Sequence, residues 1–182
     1  MPHTLTLENP RKVKKAVPVI EKKIKIKISV KGDKANLKGE ELNEFIVAKI
    51  LRAVDFGFDV EDALLLKKED YCLEFINIKE HTRRKRLGEV RGRVIGTEGK
   101  AKKTIEELTG GVVVIHDNEV GLIVDSEHLE AACQAICSLI QGSKHGNVFS
   151  YLERQNAELK KRDDGDLGLK EEVKERDGLL VQ

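Results

Sequence analysis

Glycine and basic residues are concentrated in one stretch of the sequence, RGRVIGTEGKAKKTIEELTG, from Arg91 to Gly110. Gly96 and Gly99 are three residues apart, and a helical pattern begins directly after them at Lys100. Glycine adopts positive φ readily and lets a ligand approach the backbone without a Cβ in the way. The free N–H groups at the start of a helix attract anions. These residues therefore predict a site that holds phosphate groups.

The side chains around this loop support the same prediction. Val94 and Ile95 precede it and could form the floor of a groove in which bases lie, whereas Thr97 and Glu98 are its two central residues. Glu98 is acidic and is a mild penalty against phosphate. KH domains use such a G-x-x-G loop to clamp about four nucleotides of single-stranded nucleic acid. The candidate phosphate contacts are basic: Arg84, Arg91, Arg93, Lys100, Lys102 and Lys103.

Other phosphate-binding loops fit the stretch less well. A Walker loop would need glycine at position 94, which is Val94, and serine or threonine at position 101, which is Ala101. The Rossmann fingerprint G-x-G-x-x-G would need a preceding strand and a glycine two residues before Gly96, whereas Gly92 lies four residues before it. GTEG alone is equally typical of a plain glycine turn between two helices, with solvated lysines. The order of the surrounding elements argues against that alternative.

Candidate catalytic and metal-binding residues are isolated in the sequence. Cys133 and Cys137 have a helical spacing of four that a metal would tolerate, but they lie on or beside the apolar stripe of their helix, and buried free cysteines are common. His116 and His145 have no Cys or carboxylate partner at ligand spacing. Thus we expect no enzymatic activity, no catalytic residue, no metal and no cofactor. Arg83–Arg86 reads either as a solvated helix face or as a phosphate contact.

Composition narrows the class of protein. Of the 182 residues, 36% are charged, compared with about 25% in ordinary globular domains. Tryptophan is absent and aromatic residues make up 4%, so an aromatic platform that stacks bases is not expected. No apolar run approaches the roughly 20 residues of a membrane span, and the N-terminus lacks a signal peptide's apolar core. Because the three cysteines include no CxxC pair, a disulfide framework is not expected, and we expect a cytoplasmic protein with no membrane contact.

The net charge of +1 conceals a strong segregation of charge along the chain. Residues 1–34 hold ten basic and three acidic side chains, and residues 79–103 repeat those counts. Residues 40–74 hold ten acidic and four basic side chains, and residues 104–152 hold seven acidic side chains and one lysine. Blocks of this size indicate separate surfaces with separate partners.

Two modules are indicated by the periodicity of apolar residues. In the first, KIKIKISV (Lys23–Val30) alternates as a strand with one basic face, and a helical stripe follows from Glu40 to a cap at Gly57. The second, over Tyr71–Gly142, reads as strand, helix, glycine loop, helix, strand, strand and helix. Its first helix is expected to start at a Thr82 cap, its hairpin to turn at Asp117–Asn118, and its last helix to be capped by Ser126.

The stretch RGRVIGTEGKAKKTIEELTGGVVVIHDNEVGLIV resembles a type I KH domain. Two flanking segments, ILRAVDFGFDVEDALLL and GSKHGNVFSYLERQ, extend the likeness. With them, the chain from about Glu40 to Arg162 resembles the archaeal KH-domain proteins of rRNA processing and small-ribosomal-subunit assembly, relatives of the eukaryotic partner of the Nob endonuclease. The KH motif is shared by many RNA-binding proteins, whereas the flanking segments make the match specific.

The resemblance implies an α+β fold in four parts. Residues 1–68 are a degenerate KH-like unit without a G-x-x-G loop, and residues 69–145 are a type I KH domain with its loop at 96–99. That domain has a three-stranded antiparallel sheet packed on three helices. Residues 146–162 are a C-terminal helix, and residues 163–182, which are charged and interrupted by glycines, are expected from their composition to be a disordered tail. Family members usually carry two KH units, but too few residues precede KIKIKISV for a full first one, so a scaffolding role is expected there.

The resemblance also implies function and partners. It predicts a single-stranded RNA-binding assembly factor for the small ribosomal subunit that grips pre-16S-type rRNA near its 3′ end through the second KH domain. The implied protein partner is a Nob-type endonuclease. The alternative is a protein-interaction adaptor in ribosome assembly or translation initiation, with weak RNA contact, for which a translation initiation factor subunit is the candidate partner.

Overall fold

The computed structural model describes residues 4–163, which form two three-stranded sheets and eight α-helices within that range. Two short 3-10 turns, Leu64–Lys67 and Thr97–Gly99, link helices to their neighbours. The elements are, in chain order, β1 (Thr4–Thr6), α1 (Pro10–Lys23), β2 (Lys27–Lys31), β3 (Lys34–Lys38), α2 (Glu41–Phe56), α3 (Val60–Ala63), β4 (Tyr71–Asn77), α4 (Ile78–His81), α5 (Leu87–Ile95), α6 (Lys100–Thr109), β5 (Val112–His116), β6 (Glu119–Asp125), α7 (Ser126–Gln141) and α8 (His145–Asp163).

The second sheet and its helices have the predicted KH arrangement. Strand order is β4-β6-β5 with both pairs antiparallel, and β6 pairs with β4 from Tyr71 opposite Asp125 to Asn77 opposite Glu119. Helices α5, α6 and α7 pack on one face of this sheet around a common apolar core. The predicted α+β fold, with a three-stranded antiparallel sheet on three helices, is therefore confirmed. The predicted hairpin is also present, because β5 and β6 pair directly across Asp117–Asn118.

The first sheet repeats this strand order with fewer helices. Its order is β1-β3-β2, again antiparallel. A single helix, α1, connects β1 to β2, where the second unit has the short helix α4, then α5, the glycine loop and α6. Pro10 starts α1 at a position where its missing N–H costs nothing. The segment PRKVKKAVPVIEKK is thus one continuous helix, and β2, β3 and α2 complete the unit.

Two predicted helix starts are wrong. The helix after β4 does not start at a Thr82 cap; α5 begins at Leu87. Thr82 is extended (ψ 145°), and its hydroxyl accepts a hydrogen bond from the Arg84 N–H in the loop that follows α4. The basic run 83–86 therefore lies in an exposed loop and not on a helix face. At α7, the capping side chain is Asp125, which accepts from the His128 N–H at 2.9 Å, and Ser126 is already helical.

Helix α8 packs against α6 and α7. Val148 and Leu152 are buried on its inner face, and the Asn156 side-chain amide donates to the Leu108 carbonyl at the end of α6. The predicted C-terminal helix is present, one residue longer at each end. Apart from Asp163, the predicted disordered tail lies outside the described residues. Over residues 4–163, none of the helices has the length and apolar character needed to cross a membrane.

Strand β6 is buried on both faces of the second sheet. Val120, Leu122 and Val124 point into the core formed with α5, α6 and α7, whereas Ile123 points into the core of the first unit. Gly121 lies on that second face, where Phe56 and Phe58 pack so closely that a Cβ would be 2.7 and 2.8 Å from their rings. The two units therefore share their apolar packing across this sheet.

We expect the Gly121→Ala substitution to destabilise the protein by about 1–3 kcal/mol, because the added methyl group overpacks the contact with two buried or half-buried rings. Urea unfolding at equilibrium measures this difference. Gly146→Ala is the matched control, since a Cβ there meets no atom within 4 Å and alanine favours a helix over glycine. Equal stability of Gly121→Ala and the wild type would contradict the packing of the two units.

Candidate RNA-binding site

The loop Gly96–Gly99 joins α5 to α6 through a sharp change of direction. Gly96 has φ 76° and ψ 172°, and its N–H donates to the Gly92 carbonyl at 2.8 Å, which ends α5. Gly99 has φ 75° and ψ 10°, in the left-handed region, and precedes the first residue of α6. Both glycines have backbone angles that L side chains rarely adopt.

The two glycines have different structural roles. A Cβ at Gly96 would lie 2.6 Å from both the backbone N and the Cβ of Ala101, so the first turn of α6 can rest on the loop only with glycine there. A Cβ at Gly99 would meet no atom within 4 Å. Gly96 therefore holds the loop against α6, and Gly99 keeps the outer surface of the loop open to a ligand.

The two central residues of the loop, Thr97 and Glu98, are exposed. Glu98 has φ 56° and ψ 25°, a left-handed conformation that is uncommon for a residue other than glycine. Backbone strain of this kind concentrates at binding sites. The Glu98 carboxylate is 3.3 Å from the Lys100 ammonium, so part of its repulsion toward a phosphate is offset within the loop itself.

Three lysines surround the N-terminus of α6, and each lies near a carboxylate. Lys100 pairs with Glu98, Lys102 is 3.4 Å from Glu106, and Lys103 is 3.7 Å from Glu107. The pairs of Lys100 and Lys103 are exposed, and such pairs contribute only about 0–1 kcal/mol. Lys102 and Glu106 are half-buried, and Glu106 also accepts a hydrogen bond from the Val113 N–H. Phosphate groups can therefore replace the carboxylates beside Lys100 and Lys103 at small cost, and the backbone N–H groups of the first turn of α6 add to the attraction.

Arg91 and Arg93, which the sequence places among the phosphate contacts, hold the site together. Arg91 Nη1 donates to the Asp117 carbonyl at 2.9 Å, which ties α5 to the β5–β6 turn. Arg93 Nη2 donates to the Ser143 carbonyl at 2.7 Å, just beyond the end of α7, and its Nε reaches the Leu139 carbonyl at 3.3 Å. Both guanidinium groups still add positive charge near the loop, but their hydrogen bonds fix the position of α5.

Of the two residues predicted to form an apolar floor, only Ile95 is exposed. Val94 is fully buried in the core beneath the loop and cannot contact a base. The reason is helical geometry, because Val90 and Val94 share the inward face of α5. Ile95 is 38% exposed directly beside Gly96 and is available for apolar contact with a base. Arg84 is exposed, and its guanidinium would be 3.2 Å from a Cβ at Gly142, near the end of α7.

The cysteines of α7 have the environment of structural residues. Burial raises the pKa of the Cys133 thiol to about 11, with smaller contributions from Glu74 and Cys137, and burial also raises the pKa of Cys137. Both groups therefore stay protonated at neutral pH, where a metal would need the thiolate. His81 Nε2 is 3.9 Å from the Cys137 sulfur. Over residues 4–163, His, Cys, Asp and Glu side chains form no cluster of three or more that could hold a metal ion.

Comparison with known proteins places this geometry in a family. Residues 72–157 match the profile of the second KH domain of PNO1, a eukaryotic type KH-domain (KH-domain type I). A KH domain-containing protein of Methanocaldococcus jannaschii is 31% identical over 149 residues, which cover 78% of this chain and 66% of that protein. RNA-binding protein pno1 of Drosophila melanogaster is 30% identical over 172 residues, which cover 88% of this chain and 71% of that protein.

Fungal relatives and a solved structure extend the comparison. The pre-rRNA-processing protein PNO1 of Debaryomyces hansenii is 32% identical over 118 residues, which cover 63% of this chain and 46% of that longer protein. A Pyrococcus horikoshii structure of a complex of a/eIF2alpha, aDim2p and rRNA matches with a TM-score of 0.77 at 29% identity, over 87% of this chain and 95% of that one. The chain belongs to the PNO1/Dim2 family of KH-domain proteins.

Proposed function

We propose that this protein is a non-enzymatic RNA-binding factor in the processing and assembly of small-subunit rRNA, and that it grips single-stranded RNA at the loop Gly96–Gly99. The observation that carries the proposal is the loop itself, in which open backbone at Gly99, the N-terminus of α6 and three lysines converge. Relatives named for RNA binding and pre-rRNA processing support this choice of RNA. By the same proposal the protein works in the cytoplasm.

In this proposal, phosphates and bases bind to different parts of the site. Phosphates lie over the Thr97–Gly99 backbone and the first turn of α6, with Lys100 and Lys103 exposed beside them. Bases lie toward Ile95. A KH groove takes only a few unpaired nucleotides, and a pre-rRNA 3′ end that awaits cleavage offers unpaired, accessible nucleotides. We therefore place the target near the 3′ end of the 16S-type rRNA.

The affinity of a single KH site for RNA implies that the protein makes additional contacts. A single KH site of micromolar affinity supplies about 8 kcal/mol, which is weak for lasting residence on a ribosomal subunit. Further surfaces raise the effective concentration at the site. The protein partners that fit the proposal are a Nob-type endonuclease and the initiation factor subunit eIF2alpha, which is present with a Dim2 protein and rRNA in the Pyrococcus complex.

Helix α2 provides a surface suited to a protein partner. Leu42 is 67% and Phe45 is 56% exposed on its N-terminal half, and the Lys49 ammonium is 4.4 Å from the centre of the Phe45 ring. The acidic residues beside them are Glu40 and Glu41, since Glu44 is buried and accepts a hydrogen bond from the Gly39 N–H at 2.9 Å. These exposed apolar side chains are the observation that keeps the adaptor alternative open.

The double substitution Thr97→Asp and Glu98→Asp should weaken binding to a short single-stranded rRNA oligonucleotide at least about tenfold, which corresponds to about 1.4 kcal/mol. The added carboxylate lies where phosphates are expected, and its repulsion is felt directly. Fluorescence anisotropy measures the affinity, and a thermal melt checks the fold. The matched control is Ser126→Asp with Glu127→Asp, another exposed Ser/Thr-Glu pair at a helix start. Unchanged affinity in the loop variant would mean that the site assignment is wrong.

Binding of the same oligonucleotide should weaken with salt in proportion to the number of phosphates held. If the loop and its lysines meet about three or four phosphates, the slope of log K against log salt concentration is roughly −2 to −3. A titration from low to physiological salt measures the slope. A slope near zero would exclude phosphate contacts as the source of affinity.

Leu42→Ser with Phe45→Ser should remove binding to the protein partner and leave RNA binding unchanged. Truncation of exposed aromatic and aliphatic anchors commonly costs an interface about 1–4 kcal/mol. Calorimetry with a purified Nob-type endonuclease and with an eIF2alpha subunit tests each partner separately. Val19→Ser, at a 37% exposed apolar residue on α1, is the control. Unchanged binding of both partners would remove α2 from the proposal.

A further inference from the structure

The outer face of the first sheet consists entirely of polar side chains. In the antiparallel register, Lys27 lies opposite Lys38 and Lys31 lies opposite Lys34, so these four lysines point to the same side. The other side carries the apolar residues of the same strands, which pack toward α1 and α2. The lysines share their face only with neutral polar residues: Thr4, Thr6, Ser29 and Asn36.

The lysines on this face lack carboxylate partners among residues 4–163. The exposed ion pairs in that range involve other basic residues, and the nearby Glu21 carboxylate accepts a hydrogen bond from the Ile28 N–H at the edge of β2. Like charges directly opposite each other destabilise a sheet. Two such pairs, roughly 13 Å apart along β2 at about 3.3 Å per residue, therefore oppose the fold and are compensated when an anion binds across them.

The composition of the face selects the kind of anion. Protein interfaces are depleted in lysine and have an apolar centre, whereas this face holds four lysines and no apolar side chain. Single-stranded RNA is held by stacking on aromatic side chains or by a loop that clamps its backbone, and the strands of this face provide neither. Double-stranded RNA is recognised by its shape, its phosphates and its 2′-hydroxyls. The lysine ammonium groups, hydroxyls and amide of this face match those groups.

We propose that the outer face of the β1-β3-β2 sheet is a second RNA-binding surface, which docks on the phosphate backbone of an RNA duplex. It is separate from the loop Gly96–Gly99 and reads no sequence. Lys27, Lys31, Lys34 and Lys38 neutralise phosphates, and Ser29 and the Asn36 amide donate hydrogen bonds to backbone oxygens. The second sheet has no equivalent surface, because the corresponding face is apolar and buried against Phe56 and Phe58.

The test is binding of the full-length protein to a blunt RNA duplex of about 16–20 base pairs, the length that a double-stranded RNA-binding domain spans. Replacing Lys27, Lys31, Lys34 and Lys38 by glutamine should weaken duplex binding at least about tenfold and make the salt slope shallower by about three to four. The control variant replaces four exposed lysines of α1, Lys14, Lys15, Lys22 and Lys23, by glutamine. It has the same net charge, and we expect it to keep most of the duplex affinity.

A single-stranded oligonucleotide, bound through the loop, is measured in parallel with both variants. The proposal holds if the sheet variant loses duplex binding and keeps single-strand binding, and this result does not depend on the loop assignment. The proposal is overturned if the sheet variant binds the duplex with unchanged affinity. It is also overturned if the α1 control variant loses as much duplex affinity as the sheet variant, because net charge alone would then explain the binding. If the quadruple variant melts early, the pair Lys31→Gln and Lys34→Gln at the hairpin end is used, with an expected loss of about half the salt-slope change.

Discussion

The burial of β6 on both faces is the constraint on which the rest of the structure depends. A three-stranded sheet with helices on one face normally leaves its other face to solvent, and that face must then be polar. Here the other face is apolar and packs on the end of α2 and the chain that follows it. Gly121 makes this contact possible, because only a residue without a Cβ fits beneath Phe56 and Phe58. The first unit therefore stabilises the second by covering it, even though it has no G-x-x-G loop of its own.

This packing sets how rigidly the binding loop is held. The loop projects from the far side of the sheet, between α5 and α6, and three sets of contacts determine its position. Val90 and Val94 anchor α5 in the core, Arg91 and Arg93 tie it to the β5–β6 turn and the end of α7, and Gly96 rests against Ala101. A loop positioned this firmly loses little conformational freedom when it binds, so more of its contact energy remains as affinity.

The features of the fold that depend on neighbouring residues could be predicted from the sequence. The G-x-x-G spacing, the turn at Asp117–Asn118 and the stripe of α7 depend on neighbouring residues, and the structure has all three. The roles of Arg91 and Arg93 could not be predicted, because their acceptors are backbone carbonyls 26 and 50 positions away. The predicted helix cap at Thr82 is wrong because its hydroxyl accepts a hydrogen bond within a local turn. The burial of Val94 was predictable in principle, since it shares a helix face with Val90, but its position beside the loop favoured a groove residue.

The two sheets share one strand order but have outer faces of opposite character, and the difference arises from the residues on those faces. Val114, Gly121 and Ile123 give the second sheet an apolar outer face, which is buried between the units. Lys27, Ser29, Lys31 and their partners give the first sheet a basic outer face, which stays in solvent. A buried apolar outer face stabilises the fold, whereas a basic outer face opposes it, because unpaired lysines on adjacent strands repel each other. A surface maintained against its own repulsion is best explained by a polyanionic ligand, and RNA is the polyanion that the loop Gly96–Gly99 is also suited to bind.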